Sequence, residues 1–385
     1  MQSLGDVVVA DFSRVLSGPT VTMFLADLGA DVIKVERPGV GDDTRSWGPP
    51  FLGEESTYFL SVNRNKRSVA LDLRSPEGIA AARELVRRAD VLVENFRPGT
   101  MEKLGLGYDE VRQLNPGLVY CSISGFGSGK GADRPGYDFV VQAMGGLMSI
   151  TGEPDGEPMK VGVALVDILA GLHATIGVLA GLRGRETTGA GRHVEVNLLS
   201  SLISSLANQG SGFTLAGVVP TRLGNMHPSI TPYELFDTKD KQVAIACGTD
   251  RQFEALCKVL ACDELTDDDR FRTNRSRVEN RSALRSALVA AFAMVETDEL
   301  LAALDAVGVP AGAVNNIAEA FELAEQLGLD PLQHVADGEQ SMPQVSSPLR
   351  FDGQPPAVHS VPPKLGEHTA EILDWLGRSV GKGTA

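Results

Sequence analysis

Short apolar runs alternate with amphipathic stretches through the first half of the chain. Residues 6–12, 31–36, 68–73, 91–95 and 118–122 are compact, β-branched-rich runs of strand type. Between them, residues 19–28 open on Pro19 and stop at Gly29, and residues 76–89 carry amphipathic helical spacing. This βαβ rhythm predicts an α/β fold, a Rossmann-like domain with a mostly parallel sheet and helices on both faces. The texture changes near Tyr233. Strand-like runs at 233–238 and 242–247 precede helical patterns near 251–260, 278–294 and 297–307 and a strand at 311–315, which together predict a smaller α+β domain. Beyond Asp330 the chain is Pro-rich, with strand candidates near 344–351, a helix at 369–376 and a tail expected to fray. The predicted organisation is a large domain over 1–200, a linker over 201–232, a small domain over 233–325 and a terminal segment over 326–385.

One acidic side chain interrupts the most apolar part of this pattern. In Val161-Gly-Val-Ala-Leu-Val-Asp-Ile-Leu-Ala-Gly171 only Asp167 is charged, and burying a lone carboxylate is costly unless something offsets its desolvation. Residues 168–182 have helical length, so Asp167 is expected at the N-cap, accepting free main-chain N–H groups. Two readings follow: a capping Asp, or a carboxylate kept ionised in a dry site, as a nucleophile requires. Within the helix, Ala170, Ala174, Gly177 and Gly181 lie near one face and suit close packing. His173 and His193 are expected to be structural.

The motifs around Asp167 decide between those readings. Asp11-Phe-Ser-Arg-Val-Leu-Ser-Gly-Pro19, Ala26-Asp-Leu-Gly-Ala-Asp-Val-Ile-Lys-Val-Glu-Arg-Pro38, Asn63-Arg-Asn-Lys-Arg-Ser68, Glu94-Asn-Phe-Arg-Pro-Gly99, Arg134-Pro-Gly-Tyr-Asp138, Gly189-Ala-Gly-Arg-His-Val-Glu-Val-Asn197 and Gly366-Glu-His-Thr369 follow one another in order. In that order the chain resembles the family III CoA-transferases, the group of formyl-CoA, carnitine and succinyl-CoA-dependent dicarboxylate transferases. The resemblance implies that Asp167 is the catalytic nucleophile, forming aspartyl anhydride and aspartyl-CoA thioester intermediates. It also implies that residues 326–385 return to complete the large domain, and that two subunits interlock as a homodimer. The long Gly/Pro-rich stretches at 184–191 and 210–232, odd in a compact monomer, are consistent with that.

Charge then narrows the ligand side. The 385 residues carry a net charge of −15, which argues against nucleic acid or an anionic membrane as partner. An acidic chain that binds an anionic CoA thioester must gather its cations locally. Arg37, Arg45, Lys66, Arg97 and Lys103 follow predicted strands, where open α/β sheets bind ligands. Taken singly, each is a solvated surface charge; as a cluster they are candidates for CoA. By the resemblance, Leu71, Asn95, Phe96 and Tyr137 join them as CoA-binding candidates, and Arg14 and Leu16 lie near the thioester. Formyl-CoA transferases carry Gln at the place of Leu16, which disfavours formyl-CoA and oxalate as substrates. Asn225 and His227, in a polar loop opening the small domain, are candidates for the acceptor side, with a turn-stabilising role for His227 as the alternative. The Gly-rich loop at 124–133 either covers the site or forms a mobile turn.

Three alternatives are weaker. The first βα turn lacks the GxGxxG glycines that a dinucleotide needs, although Glu36 would suit a ribose. A racemase moving the α-proton of a 2-methylacyl-CoA on the same scaffold would need a histidine where Tyr137 stands, and an ordinary phenol is a poor base at neutral pH. A non-catalytic CoA-binding protein is the third. No metal site or permanently bound cofactor is expected. The four cysteines lack CxxC spacing and suit a reducing cytoplasm. No signal pattern opens the sequence, and no apolar run looks long enough to span a membrane.

Overall fold

The computed structural model describes residues 3–337 and 340–377, so the frayed tail expected at the C-terminus lies outside the described residues. The chain divides into two compact units. The larger takes the chain up to Leu147, then Val161–Gly217, then the segment from Asp330 onward; the smaller takes Met148–Lys160 and Val218–Leu329.

In the larger unit six strands, β1 (Val8–Asp11), β2 (Asp31–Glu36), β3 (Lys66–Ala70), β4 (Val91–Glu94), β5 (Val119–Ser124) and β6 (His193–Asn197), form one sheet. Their order is β3-β2-β1-β4-β5-β6 and every pairing is parallel. The apolar runs Val-Val-Ala and Val-Leu-Val of β1 and β4 are almost wholly buried, as strands covered on both faces must be. The helices that matter below are α1 (Ser17–Asp27), α2 (Thr57–Leu60), α3 (Pro76–Arg88), α4 (Asp138–Met144), α5 (Leu165–Thr188), α6 (Leu198–Ser205) and α7 (Ala207–Ala216). One sheet face packs under α1, α5 and α6 through Val21, Leu25, Ala170, Ala174, Val178 and Leu202. The other packs under α3 and the terminal helix Thr369–Gly377 through Leu85, Val86, Ile372 and Leu376. Strand order reverses between the neighbours β1 and β4, and the crevice beyond their carboxyl ends is where such sheets place ligands.

Several expectations change here. Helix α5 begins at Leu165, earlier than the predicted start, and runs 24 residues. By length and composition it alone among the described residues is apolar enough to cross a membrane, contrary to the sequence expectation. Its Ala170, Ala174 and Val178 nevertheless sit in the sheet core. Small residues explain the fit. A Cβ on Gly177 would come within 2.6 Å of Val194, and one on Gly181 within 2.9 Å of Val119. Larger side chains there would force the helix off the sheet, at about 1–3 kcal/mol. Residues 201–216, predicted as linker, are mostly helical within α6 and α7.

The smaller unit is built on a three-stranded antiparallel sheet of Tyr233–Asp237, Gln242–Ala246 and Ala311–Ala313. Helices Asp250–Val259, Arg281–Phe292 and Thr297–Ala306 cover it through Phe253, Leu256, Leu288, Phe292 and Leu304. Residues 148–160 join this unit from before α5, a crossing the linear pattern does not signal.

Candidate active site

The loop after β1 is held open by buried charges. Asp11 accepts hydrogen bonds from Ser13 N–H (2.9 Å), the Thr22 hydroxyl (2.7 Å) and Lys66 Nζ (3.3 Å). Lys34 pairs with Asp42 at 2.9 Å and donates to the Ser13 carbonyl, also at 2.9 Å. Asp42 in turn accepts the Val15 N–H at 3.3 Å. Val15 has φ of 66°, a left-handed conformation costly for a β-branched residue, so this carboxylate holds the turn in a shape it would not adopt alone. Asn95, just past β4, fixes the same turn from the other side: its Oδ1 accepts Arg14 N–H at 2.8 Å and its Nδ2 donates to the Arg14 carbonyl at 2.7 Å.

That turn delivers Ser17 to the start of α1, where its hydroxyl lies near enough to the Asp167 carboxyl to favour its ionised form. Asp167 is buried, with 9% of its surface exposed. It is not the N-cap. Ala164 holds that position without a side-chain bond, and Asp167 lies in the first turn of α5. The capping carboxylate is Asp138 at the start of α4, whose Oδ2 accepts the N–H of Val166 (2.7 Å) and of Asp167 (3.2 Å). Since Asp138 takes those helix N–H groups, burial dominates the titration of Asp167. Burial first, then the Asp138 charge, push it up to about 7, and only the Ser17 hydroxyl pulls it down. The expectation of a carboxylate held ionised by its own cap position is therefore corrected. The site holds a carboxylate poised near neutrality.

Asp167 opens into a cavity of about 290 Å³ whose wall includes Arg14, Ser17, Asn95, Phe96 and Tyr137. Gly125, Phe126 and Gly127 of the Gly-rich loop line it too. Gly125 and Gly136 cross so closely that a Cβ on Gly136 would lie 2.6 Å from the Gly125 Cα, which seats the loop beside Tyr137. A second cavity of about 550 Å³ shares Arg14 and Phe96 with the first and adds Arg37, Leu71, Arg74 and Leu104. The Arg14 guanidinium lies 4.6 Å from the Phe96 ring centre and 4.0 Å from Asp43, which also pairs with Arg37 at 2.6 Å. Burial first, then the charge of Arg37, lower the Arg14 pKa, and Asp43 and Asp42 oppose them.

The predicted site residues therefore separate. Arg14, Asn95, Phe96, Arg97 and Tyr137 line the cavity of Asp167, and Arg37 and Leu71 line its neighbour. Leu16 does neither: it is buried in a small cluster with Met23 and Val62. Arg45 is committed elsewhere. It bonds Glu36 at 2.7 and 2.8 Å and the Pro363 carbonyl at 3.0 Å, beneath the Phe59 ring. Lys66 is buried among Asp11, the Pro19 carbonyl and Asn63, and burial lowers its pKa to about 8. Lys103 is exposed and lines neither cavity. Asn225 and His227 belong to the smaller unit; His227 Nδ1 accepts the Ser229 N–H at 3.1 Å, the turn-stabilising alternative. His193 bonds Ser122 and stacks on Tyr108, as a structural residue does. Sequence reasoning missed Ser17, Arg74, Asp138 and Gln142. A signal existed for the last two: an i, i+4 polar pair in the otherwise apolar Asp-Phe-Val-Val-Gln. Among the described residues no group of three or more His, Cys, Asp or Glu is placed to hold a metal.

A family model described as CoA-transferase family III matches residues 4–369. The chain is 44% identical to the succinyl-CoA:glutarate CoA-transferase of Mus musculus, over 97% of this chain and 86% of that one. It is also 44% identical to the succinate–glutarate CoA-transferase of Agrobacterium fabrum, over 97% and 95%. The crystal structure of a CAIB/BAIF family protein from Brucella suis superposes with a TM-score of 0.86 at 44% identity, covering 96% of this chain and 98% of that one.

Proposed function

The chain belongs to CoA-transferase family III, and on that premise we propose that it moves CoA from succinyl-CoA, or a similar dicarboxylic acyl-CoA, to a dicarboxylate through Asp167. The observation that carries the proposal is a buried, near-neutral carboxylate facing a cavity that adjoins a cluster of arginines. Relatives that act on succinyl-CoA and glutarate support the substrate class.

In this reading Asp167 attacks the thioester carbonyl, the C–S bond breaks, and CoA thiolate leaves behind an aspartyl–acyl anhydride. The thiolate then attacks the aspartyl carbonyl, releasing the donor acid and leaving aspartyl-CoA thioester. The acceptor carboxylate displaces the thiolate again, and its return to the acceptor's carbonyl frees the new acyl-CoA and regenerates Asp167. Each step exchanges one activated acyl group for another; free carboxylate attack on the thioester in water also forms an anhydride, uphill and open to hydrolysis, and the enzyme carboxylate splits that route into smaller covalent steps. A carboxylate of raised pKa is a stronger nucleophile, and the fixed geometry of Ser17 and Asn95 supplies pre-organisation. Arg14, Arg37 and Arg74 are the cations offered to the ligand's phosphates, with Phe96 as an apolar face. Exposed Leu172 and Ile176 on α5, Ile203 on α6, and Phe213 and Leu215 on α7 support a homodimer. The four unpaired cysteines fit the cytoplasm.

The α-proton isomerase reading is not favoured. Tyr137 stands where it needs a histidine, and the relatives reported above are named CoA-transferases. Asp167→Ala is the test: it is expected to fold, bind CoA and show no transfer, and measurable transfer by this variant contradicts the mechanism.

A further inference from the structure

Beneath the cavity lies a buried chain of hydrogen bonds that the transfer steps above do not use. Gln142, on α4, is fully buried. Its Nε2 donates to Asp138 Oδ1 at 2.5 Å, and its Oε1 accepts the Val161 N–H at 2.9 Å. Asp138 Oδ2 holds the N–H groups of Val166 and Asp167. The segment from Val161 to Asp167, which carries the candidate nucleophile into α5, is thus gripped at both ends by two side chains from one turn of α4.

We propose that Asp138 is a positioning residue for CoA transfer: it fixes the first turn of α5 and, by occupying the helix N–H groups, keeps them from the Asp167 carboxylate. This rests on the reading of Asp167 as nucleophile. The physical argument is a competition for donors. Helix N–H groups stabilise negative charge, and a carboxylate that accepted them would be more acidic and a weaker attacker. With Asp138 in place they are spent, and its charge lies next to Asp167 as well. Burial and Asp138 both raise the Asp167 pKa. The other groups facing Asp167 are the Ser17 hydroxyl from α1 and the Tyr58 phenol from α2, itself raised by burial and then by the Asp167 charge. Arg14, Arg97, Arg134 and Asp43 line the same cavity.

The test is the pH profile of kcat/KM for D138N with succinyl-CoA and glutarate, beside the unmodified enzyme and Asp167→Ala. A fall in kcat of about tenfold or more is expected, with the acidic limb moving down by about one pH unit, since a neighbouring carboxylate charge shifts a pKa by that order. D138N/Q142E is the partner variant. It preserves a cap acceptor on α5 and the hydrogen bond to Val161 while moving the charge one helical turn away, so it is expected to keep the melting temperature and still shift the limb downward. An unmoved limb in the folded variants overturns the inference, whether kcat is full or reduced, because a purely structural role lowers stability without retuning the nucleophile. Transfer surviving in Asp167→Ala instead overturns the nucleophile assignment itself, a separate failure.

Discussion

Asn95 and Arg14, 81 positions apart, are joined by a pair of reciprocal hydrogen bonds: side-chain Oδ1 to main-chain N–H at 2.8 Å, and side-chain Nδ2 to main-chain carbonyl at 2.7 Å. The pair ties the ends of β1 and β4 at the point where strand order reverses, and it sets the turn that ends in Ser17. Asn95→Ala leaves both main-chain groups of Arg14 without their partner, so stability should fall by about 1–3 kcal/mol. Transfer should fall by about tenfold or more, because Ser17 loses its placement against Asp167. Asn95→Asp keeps the acceptor and loses the donor, and should lie between the two. Thermal unfolding and kcat/KM read the two effects separately.

The titration of Asp167 fixes a pH dependence for both activity and stability. Attack needs the ionised form, so kcat/KM should rise with pH through about 7. For stability the sign runs the other way. The carboxyl moves from 3.8 in the unfolded chain to about 7 in the fold, so between those values the folded state binds the extra proton. Stability contributed by this group is therefore highest below pH 4 and declines until about pH 7. Three pH units at about 1.4 kcal/mol each set an upper bound of about 4 kcal/mol. Asp167→Asn should be more stable than the unmodified protein at pH 8, and the gain should vanish near pH 4. Urea unfolding at the two pH values measures it.

Arg14 and Arg45 are both candidates for the CoA site in the sequence and have different duties in the fold. Arg14→Ala should raise the KM for acyl-CoA by about tenfold or more, since a charge-assisted hydrogen bond is worth about 1.5–3 kcal/mol, with little change in melting temperature. Arg45→Ala takes the guanidinium from buried Glu36, which keeps only the Asp42 N–H, the Ser68 hydroxyl and the charge of Lys34, so stability should fall by up to about 3 kcal/mol. Its signature should be a lower melting temperature. The two variants compared by calorimetry and steady-state kinetics separate binding from scaffold.

The contrast shows what the sequence carries. The runs that became β1, β2 and β4 were legible because a doubly covered parallel strand is simply a short apolar run. Asp167 was legible as a lone charge in an apolar stretch, and Asn95 and Phe96 through their motif. The start of α5 is not legible because its cap comes from Asp138, 29 positions before Asp167, and no local rule sees a tertiary cap. Lys66 and Arg45 were misread for a related reason. Position after or at a strand end suggests a ligand contact, yet whether a cation faces the crevice or an internal carboxylate depends on Asp11 and Glu36, which only folding brings alongside.

Mass spectrometry of peptides after incubation with succinyl-CoA and a hydroxylamine quench tests whether Asp167 is the nucleophile. A hydroxamate on Asp167 is expected, the product of hydroxylamine with an activated aspartyl acyl group. An unmodified Asp167 across a panel of acyl-CoA donors, in enzyme that is turning over, would contradict it.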